Sequence, residues 1–138
     1  MRTLNAYLSF KDSAREAMNL YQSVLGGSLQ ITTFADFPQM PHDEAEADHV
    51  MHAELRTDDG LVLMGSDTPD SVPFAPQSGV SVSLGGDDEA AMRAAWDALA
   101  EGGTVTMPLE PPAWGGLFGM LVDRFGTAWM ITVDAPTS

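Results

Sequence analysis

Residues 4–34 decide the fold, and they read LNAYLSFKDSAREAMNLYQSVLGGSLQITTF. An extended apolar run, 4–10, leads into a helical stretch that ends at the glycine pair 26–27, where a second extended run begins. Residues 80–107 repeat this order as VSVSLGGDDEAAMRAAWDALAEGGTVTM, with a glycine pair at 102–103. The two pairs lie 76 residues apart (103 minus 27). This period indicates a duplicated supersecondary unit rather than a solenoid repeat.

Both helical stretches carry start signals. Ser13 followed by Glu16 predicts a capping box, in which each side chain accepts a free backbone N–H. The second helix is predicted to be capped by Asp87 or Asp88. Apolar residues recur at helical spacing in both stretches, so we expect both helices to pack on a sheet.

The connections complete the same plan in each half. Residues 35–49 are polar and are predicted to form a mobile loop, and residues 50–56 alternate as a strand does. The pair 59–60, Asp-Gly, predicts a two-residue hairpin turn. The segments 117–122 and 127–133 are predicted as the last two strands. Each half is therefore predicted to be β-α-β-β-β.

Composition excludes several classes of function. At 138 residues and 44% hydrophobic content the chain is expected to form one globular domain. The absence of cysteine excludes disulfides, thiolate zinc sites and cysteine nucleophiles. The formal net charge of −14 disfavours nucleic acid and anionic membranes as partners. No signal-peptide core is recognisable, so a cytoplasmic location is expected.

Short motifs carry a family resemblance through nearly the whole chain. In the first half they are 7–10 (YLSF), 14–17 (AREA), 51–55 (MHAEL) and 64–67 (MGSD). In the second half they are 99–103 (LAEGG), 114–115 (WG), 118–120 (FGM) and 123–130 (DRFGTAWM). With the tandem β-α-β-β-β order, these motifs resemble the vicinal oxygen chelate superfamily of glyoxalases, bleomycin-resistance proteins and extradiol dioxygenases, and within it the PhnB-like branch.

The resemblance implies a definite architecture. It is an α+β fold in which tandem βαβββ modules form a curved eight-stranded mixed sheet around a cleft, with the helices on the convex side. One domain, 1–138, would then hold module one at about 3–66, a linker at about 67–78 and module two at about 79–135. Members of this superfamily are commonly homodimers, so a homodimer is expected.

In the enzymes of this superfamily a divalent metal chelates two neighbouring substrate oxygens and acts as a Lewis acid. The family's ligand positions fall here near Asn5 and at Met130, which are poor ligands for the usual ions, so the triad is incomplete. His52 and Glu54 remain, because strand alternation puts them on one face. They are candidates for an acid/base pair or two corners of a metal site, and the alternative is a hydrogen-bonded pair without chemistry.

A ligand pocket is expected to use residues from both halves. Trp114 lies in a loop rich in proline and glycine, so it either caps a ligand or anchors a dimer contact. His42 and His49 are expected to be solvated loop residues. The candidate pocket residues are Asn5, Tyr7, Trp114, Phe118, Trp129 and Met130.

Three functions remain open from the sequence. The first is a PhnB-like protein that binds a small organic ligand in its cleft, with no established catalysis. For this function we expect no cofactor, and the alternative is a divalent metal ion. The second is a metal-dependent lyase, isomerase or dioxygenase that acts on a vicinal-oxygen substrate. The third is a resistance protein that sequesters a drug. Proteins of this branch are sometimes labelled demethylubiquinone methyltransferases, but the chain has no glycine-rich loop typical of a nucleotide-type cofactor site.

Overall fold

The computed structural model describes residues 2–135, and its elements follow the order β-α-β-β-β twice. The first set is β1 (Ala6–Phe10), α1 (Ala14–Leu25), β2 (Ser28–Thr33), β3 (Val50–Arg56) and β4 (Val62–Asp67). The second set is β5 (Val82–Gly86), α2 (Glu89–Ala100), β6 (Thr104–Glu110), β7 (Leu117–Val122) and β8 (Ala128–Val133). The predicted tandem βαβββ organisation is therefore confirmed.

The chain divides into two compact units between Pro76 and Gln77, inside the predicted linker. Each unit holds one four-stranded mixed sheet, in the order β1-β4-β3-β2 in the first and β5-β8-β7-β6 in the second. In each sheet the first strand pairs in parallel with the last, and the other pairs are antiparallel. The fold is thus α+β, as predicted. Neither helix of residues 2–135 has the length and apolar character needed to cross a membrane.

In the first unit α1 covers one face of the sheet. Alternate residues of the strands point towards the helix because successive side chains of a strand point to opposite faces. Gly65 marks this face, since a Cβ built there would contact the Met18 sulfur at 3.4 Å. The buried apolar side chains of this layer are Leu8, Phe10, Ala14, Ala17, Met18, Tyr21, Ala53, Leu55 and Leu63. The opposite face of this sheet is called the open face of the first unit below.

The second unit follows the same plan around α2. Leu99 of α2 is fully buried, and the ring of Trp96, also in α2, lies against Gly119 of β7. A Cβ at residue 119 would lie 2.7 Å from the Trp96 ring. The glycine therefore lets the indole approach the strand closely.

The glycine pairs end both helices, and the second member of each pair makes the same close contact. A Cβ at Gly27 would collide with the carbonyl oxygen of Arg56, and one at Gly103 with that of Val122. These contacts fall at the two matching ends of β3 and β7. The spacing of 76 residues is therefore kept by a backbone contact that only glycine permits.

Gly103→Ala is expected to destabilise the protein by about 2–3 kcal/mol, because the new methyl group overlaps a backbone oxygen that cannot move freely. Gly85→Ala is the matched control: neither residue has a positive φ, and a Cβ at residue 85 meets nothing closer than 3.8 Å. Urea unfolding midpoints measure both. Equal midpoints for the two variants would contradict the close-contact explanation.

The start of α1 differs from the prediction. Ser13 is the N-cap residue, but its side chain makes no capping hydrogen bond, so the capping box with Glu16 is wrong. The N–H of Ala14 instead donates to Oδ1 of Asp67, at the end of β4 (2.9 Å). Asp88 does cap α2, as predicted, by accepting the N–H of Ala91.

Two connections also differ. The turn after β3 is not a two-residue hairpin: the Thr57 N–H donates to the Leu61 carbonyl, and Gly60 alone has a positive φ, which makes a three-residue loop. The turn between β7 and β8 closes in the same way, because the Asp123 N–H donates to the Thr127 carbonyl and Gly126 has a positive φ. The polar segment 35–49 contains a short 3₁₀ helix, Glu44–Glu46, that backbone hydrogen bonds tie to its surroundings.

Candidate functional site

The open face of the first unit presents two side chains that the sequence separates by 45 residues. Tyr7 lies on β1 and His52 on β3, with β4 between them, so their backbones are about 10 Å apart. Both side chains reach across β4, and a hydrogen bond joins the Tyr7 hydroxyl to His52 Nδ1 (3.0 Å). The two rings also stack, with centroids 5.6 Å apart and an interplanar angle of 27°. The strands therefore hold an aromatic pair in a defined geometry.

Glu54 lies on the same face, as alternation predicted, but it bonds elsewhere. Its Oε2 accepts a hydrogen bond from Arg56 Nε at 2.6 Å, two residues further along β3. Within residues 2–135 no hydrogen bond joins His52 to Glu54. The imidazole pairs with a phenol and the carboxylate with a guanidinium, so the predicted His–Glu acid/base couple is not formed in this structure.

The floor between the two strands comes from β4. Met64 pairs in register with Tyr7 on one side and with Glu54 on the other, so the three lie in one row across the sheet. The Thr32 hydroxyl of β2 donates to the backbone carbonyl of His52 (3.3 Å), which fastens the strand from its outer side. Tyr7 remains 49% exposed, so the pair is open to solvent.

The duplicated unit has no second copy of this pair. Because Arg56 pairs with Val62 and Val122 with Ala128, register makes Phe118 the counterpart of His52. By the same count Met120 corresponds to Glu54. The polar chemistry therefore belongs to the first unit alone among the described residues.

The corresponding face of the second unit carries a row of methionines and an aromatic pair. Met107, Met120 and Met130 are register partners across β6, β7 and β8, so three methionines form a row. Trp114 is 71% exposed and meets the Phe118 ring edge-on, with centroids 5.8 Å apart at 66°. This surface suits an apolar or planar partner.

Two other candidate pocket residues have different surroundings. Asn5 is half-buried just before β1. Trp129 is 1% exposed, and its Nε1–H donates to Oδ2 of the buried Asp123 (2.9 Å). This is the environment of a core residue, because the indole has no exposed face on which a ligand could stack.

The structure also brings together side chains that the sequence did not suggest. Ligand atoms of Asp12, Glu46 and His49 lie within 4.8 Å of one another, and His49 Nδ1 lies 3.4 Å from Asp12 Oδ1. Glu46 is buried, and its carboxylate accepts the N–H groups of Asp43 and Asp70. These backbone contacts are those of a carboxylate that anchors the loop. The His49 ring lies beside the Asp12 carboxylate, so His49 is not simply a solvated loop residue.

A salt bridge lies beside this cluster. The Lys11 ammonium pairs with Asp70 and also donates to the Thr68 carbonyl. The hydrogen bond to Asp70 and the nearby charges of Asp12 and Glu46 raise the pKa of Lys11 above its ordinary value. A cationic side chain therefore already lies beside the cluster.

The divalent metal implied by the superfamily does not fit the donors present at His52. His52 Nδ1 is engaged by Tyr7, and the Glu54 carboxylate is engaged by Arg56. Neither residue belongs to any described group of three His, Asp or Glu ligand atoms close enough to share an ion. One histidine and one carboxylate are fewer protein ligands than a metal centre of this type needs.

Comparison with known proteins gives the relationship of the chain. Protein YjdN of Escherichia coli (strain K12) is 29% identical in an alignment of length 140 that covers 94% of each chain. The crystal structure of protein PA1353 from Pseudomonas aeruginosa is 37% identical, covers 99% of this chain and 100% of that one, and has a TM-score of 0.87. A PhnB protein from Bacillus cereus, described as a 3-demethylubiquinone-9 3-methyltransferase, is 25% identical, covers 96% and 100% of the two chains, and has a TM-score of 0.75.

The match to a family model is nearly complete in length. The model described as 3-demethylubiquinone-9 3-methyltransferase matches residues 2–132. This range includes both helices and all eight strands except Val133, the last residue of β8. The chain therefore belongs to this PhnB-like family, and its fold is also that of a glyoxylase/bleomycin resistance protein/dioxygenase domain from Frankia sp. EAN1pec, which is 13% identical with a TM-score of 0.64.

Proposed function

We propose that the protein binds a small organic ligand on the open face of its first unit, with His52 and Tyr7 as the recognition pair. The observation that carries this proposal is the hydrogen-bonded and stacked geometry of the two rings on a rigid sheet. An imidazole and a phenol held in one orientation offer a ligand both a polar edge and an aromatic surface. Because the two rings already hold each other in one orientation, little side-chain conformational entropy would be lost on binding.

Binding rather than catalysis is favoured by the partners of the neighbouring charges. A general base needs a reacting group within hydrogen-bonding reach and usually a further group that orients or activates it. Here Glu54 is paired with Arg56 and is not bonded to His52. Within residues 2–135 no metal-type cluster includes either residue.

Methyl transfer receives no support from the sheet topology. Each unit has a mixed sheet with one parallel strand pair, in the order β1-β4-β3-β2 in the first unit. Doubly wound sheets that bind nucleotide-type cofactors are mostly parallel and place the cofactor at a switch in strand order. The methyltransferase description is therefore carried by the family's name and not by features of this chain.

The proposal predicts that His52→Ala weakens ligand binding about tenfold, which corresponds to one lost hydrogen bond of about 1.4 kcal/mol. Hits from a fragment library are to be identified by ¹H–¹⁵N chemical-shift changes in the labelled protein and then titrated into each variant. His42→Ala is the matched control, because His42 contacts the Met40 carbonyl in the loop instead. Hits that bind both variants with equal affinity would contradict the assignment of His52.

A second candidate function is the sequestration of a planar cationic compound, and the exposure of Trp114 favours it. A tryptophan that is 71% exposed beside Phe118 and a row of methionines offers a stacking surface, and the chain carries a net charge of −14. The planar cation proflavine is expected to quench tryptophan emission in the native protein. Trp114→Phe should remove most of this quenching, since Trp129 is buried and Trp96 is half-buried. Quenching that persists in the variant would contradict this candidate.

A further inference from the structure

We infer that Tyr7 holds His52 in the tautomer that carries its proton on Nε2, so the group recognised in the ligand is a hydrogen-bond acceptor, namely a carbonyl oxygen. The ligand half of this inference rests on the proposed function. The tautomer half is a property of the protein alone, and each half can be tested without the other.

The hydrogen-bond chemistry of the pair assigns the tautomer. In a neutral imidazole one ring nitrogen donates and the other accepts. A phenolic hydroxyl is a better donor than acceptor because its lone pairs are delocalised into the ring, whereas an unprotonated imidazole nitrogen is a strong acceptor. The favoured arrangement is therefore a Tyr7 O–H that donates to Nδ1 across 3.0 Å.

No competing acceptor draws the proton to Nδ1. The carboxylate on the same face, Glu54, is already bonded to Arg56 Nε, and within the described part of the chain it makes no bond to His52. The bond to Tyr7 is the one side-chain hydrogen bond of the His52 ring among residues 2–135. Nε2–H is thus the donor that the ring offers to a ligand.

The surroundings of Nε2–H select the kind of acceptor. Glu54 and Arg56 neutralise each other on this strand face, whereas the whole chain carries a net charge of −14, so a multiply charged anion is disfavoured. Met64, between Tyr7 and Glu54 in the same row, supplies an apolar floor. A neutral carbonyl attached to an apolar body meets both conditions.

The tautomer is tested by two-bond ¹H–¹⁵N spectra of the ¹⁵N-labelled full chain, followed through a pH titration until the imidazoles are neutral. His52 is expected to show the pattern of an Nε2–H ring. His42 is an internal reference for the opposite tautomer. Its Nδ1 lies 2.6 Å from the Met40 carbonyl, which can only accept, so His42 is expected to carry its proton on Nδ1. Tyr7→Phe, which keeps the ring and removes the hydroxyl, should shift the His52 ¹⁵N signals towards a mixture of tautomers.

An Nδ1–H pattern for His52 in the native protein, or unchanged signals in Tyr7→Phe, would overturn the tautomer assignment. The ligand class is tested with acetophenone and with ethylbenzene, which has a similar shape but no carbonyl. Acetophenone alone is expected to move the Nε2 signal. If the tautomer is as inferred but acetophenone moves the signal no more than ethylbenzene does, the carbonyl assignment fails. In that case a library hit that His52→Ala weakens would still uphold the proposed function.

Discussion

Asp67→Ala is expected to lower the free energy of unfolding by about 4 kcal/mol, because its one buried carboxylate accepts backbone hydrogen bonds from two separate segments. Its Oδ1 accepts the N–H of Ala14, the first residue of α1, and its Oδ2 accepts the N–H of Val50, the first residue of β3 (both 2.9 Å). Asp67 is 5% exposed, so water cannot replace the lost bonds easily. Each buried donor left without a partner costs about 1–3 kcal/mol.

The measurement is urea unfolding of the native protein and the variants, followed by far-ultraviolet circular dichroism. The stability of Asp67→Asn should lie between those of the native protein and the alanine variant. The amide oxygen can still accept one backbone N–H, whereas the N–H₂ group faces the other backbone N–H and cannot accept from it. Asp58→Ala is the control, because Asp58 is exposed in the turn after β3 and should change stability by less than about 0.5 kcal/mol. A cost for Asp67→Ala that is no larger than for Asp58→Ala would refute the bridging role.

The same carboxylate explains what the sequence predicted of the fold and what it did not. The repeat, the helix ends and the alternating strands are local patterns, and they led to the correct order of elements. The sequence pattern predicts the start of α1 at Ser13 correctly, but it predicts a capping partner only three residues away. The actual partner, Asp67, is 53 residues further along the chain from Ala14. Only the pairing of β1 with β4 brings it there.

The candidate site shows the same limit. Alternation along β3 predicts that His52, Glu54 and Arg56 share one face, so the sequence pattern is enough to predict that Glu54 and Arg56 are close to each other. The Tyr7–His52 bond had no such signal, because it depends on which strand lies between β1 and β3. The prediction that Trp129 lines a ligand pocket meets the same limit, because its buried partner Asp123 is seen only in the structure. Dimer formation and the ligand itself stay predictions.

The turn between β7 and β8 depends on Asp123, which is 3% exposed. Its Oδ1 accepts the N–H groups of Phe125 (2.9 Å) and Thr127 (3.0 Å), and its Oδ2 accepts the Trp129 indole N–H. Thr57 occupies the corresponding place in the first unit, where its hydroxyl accepts the Leu61 N–H. The second unit therefore uses a carboxylate at the position where the first uses a hydroxyl, and the extra oxygen accepts from the indole.

Asp123→Ala is expected to cost about 4 kcal/mol, and Asp123→Asn about 2–3 kcal/mol, because the asparagine must turn an N–H₂ group towards the indole N–H if it keeps its bonds to the turn. Asp134→Asn is the control, since Asp134 is exposed and should change stability little. Urea unfolding monitored by tryptophan fluorescence measures each variant.

Trp129→Phe removes the indole N–H and so separates the two roles of Asp123. Combined with Asp123→Asn it completes a double-mutant cycle, in which a coupling of about 1–3 kcal/mol is expected for a buried charge-assisted hydrogen bond. A coupling near zero would mean that the carboxylate acts through the turn alone and that Trp129 is held by packing. A coupling in the expected range would show that the bond to Asp123 helps to hold the Trp129 indole in its buried position.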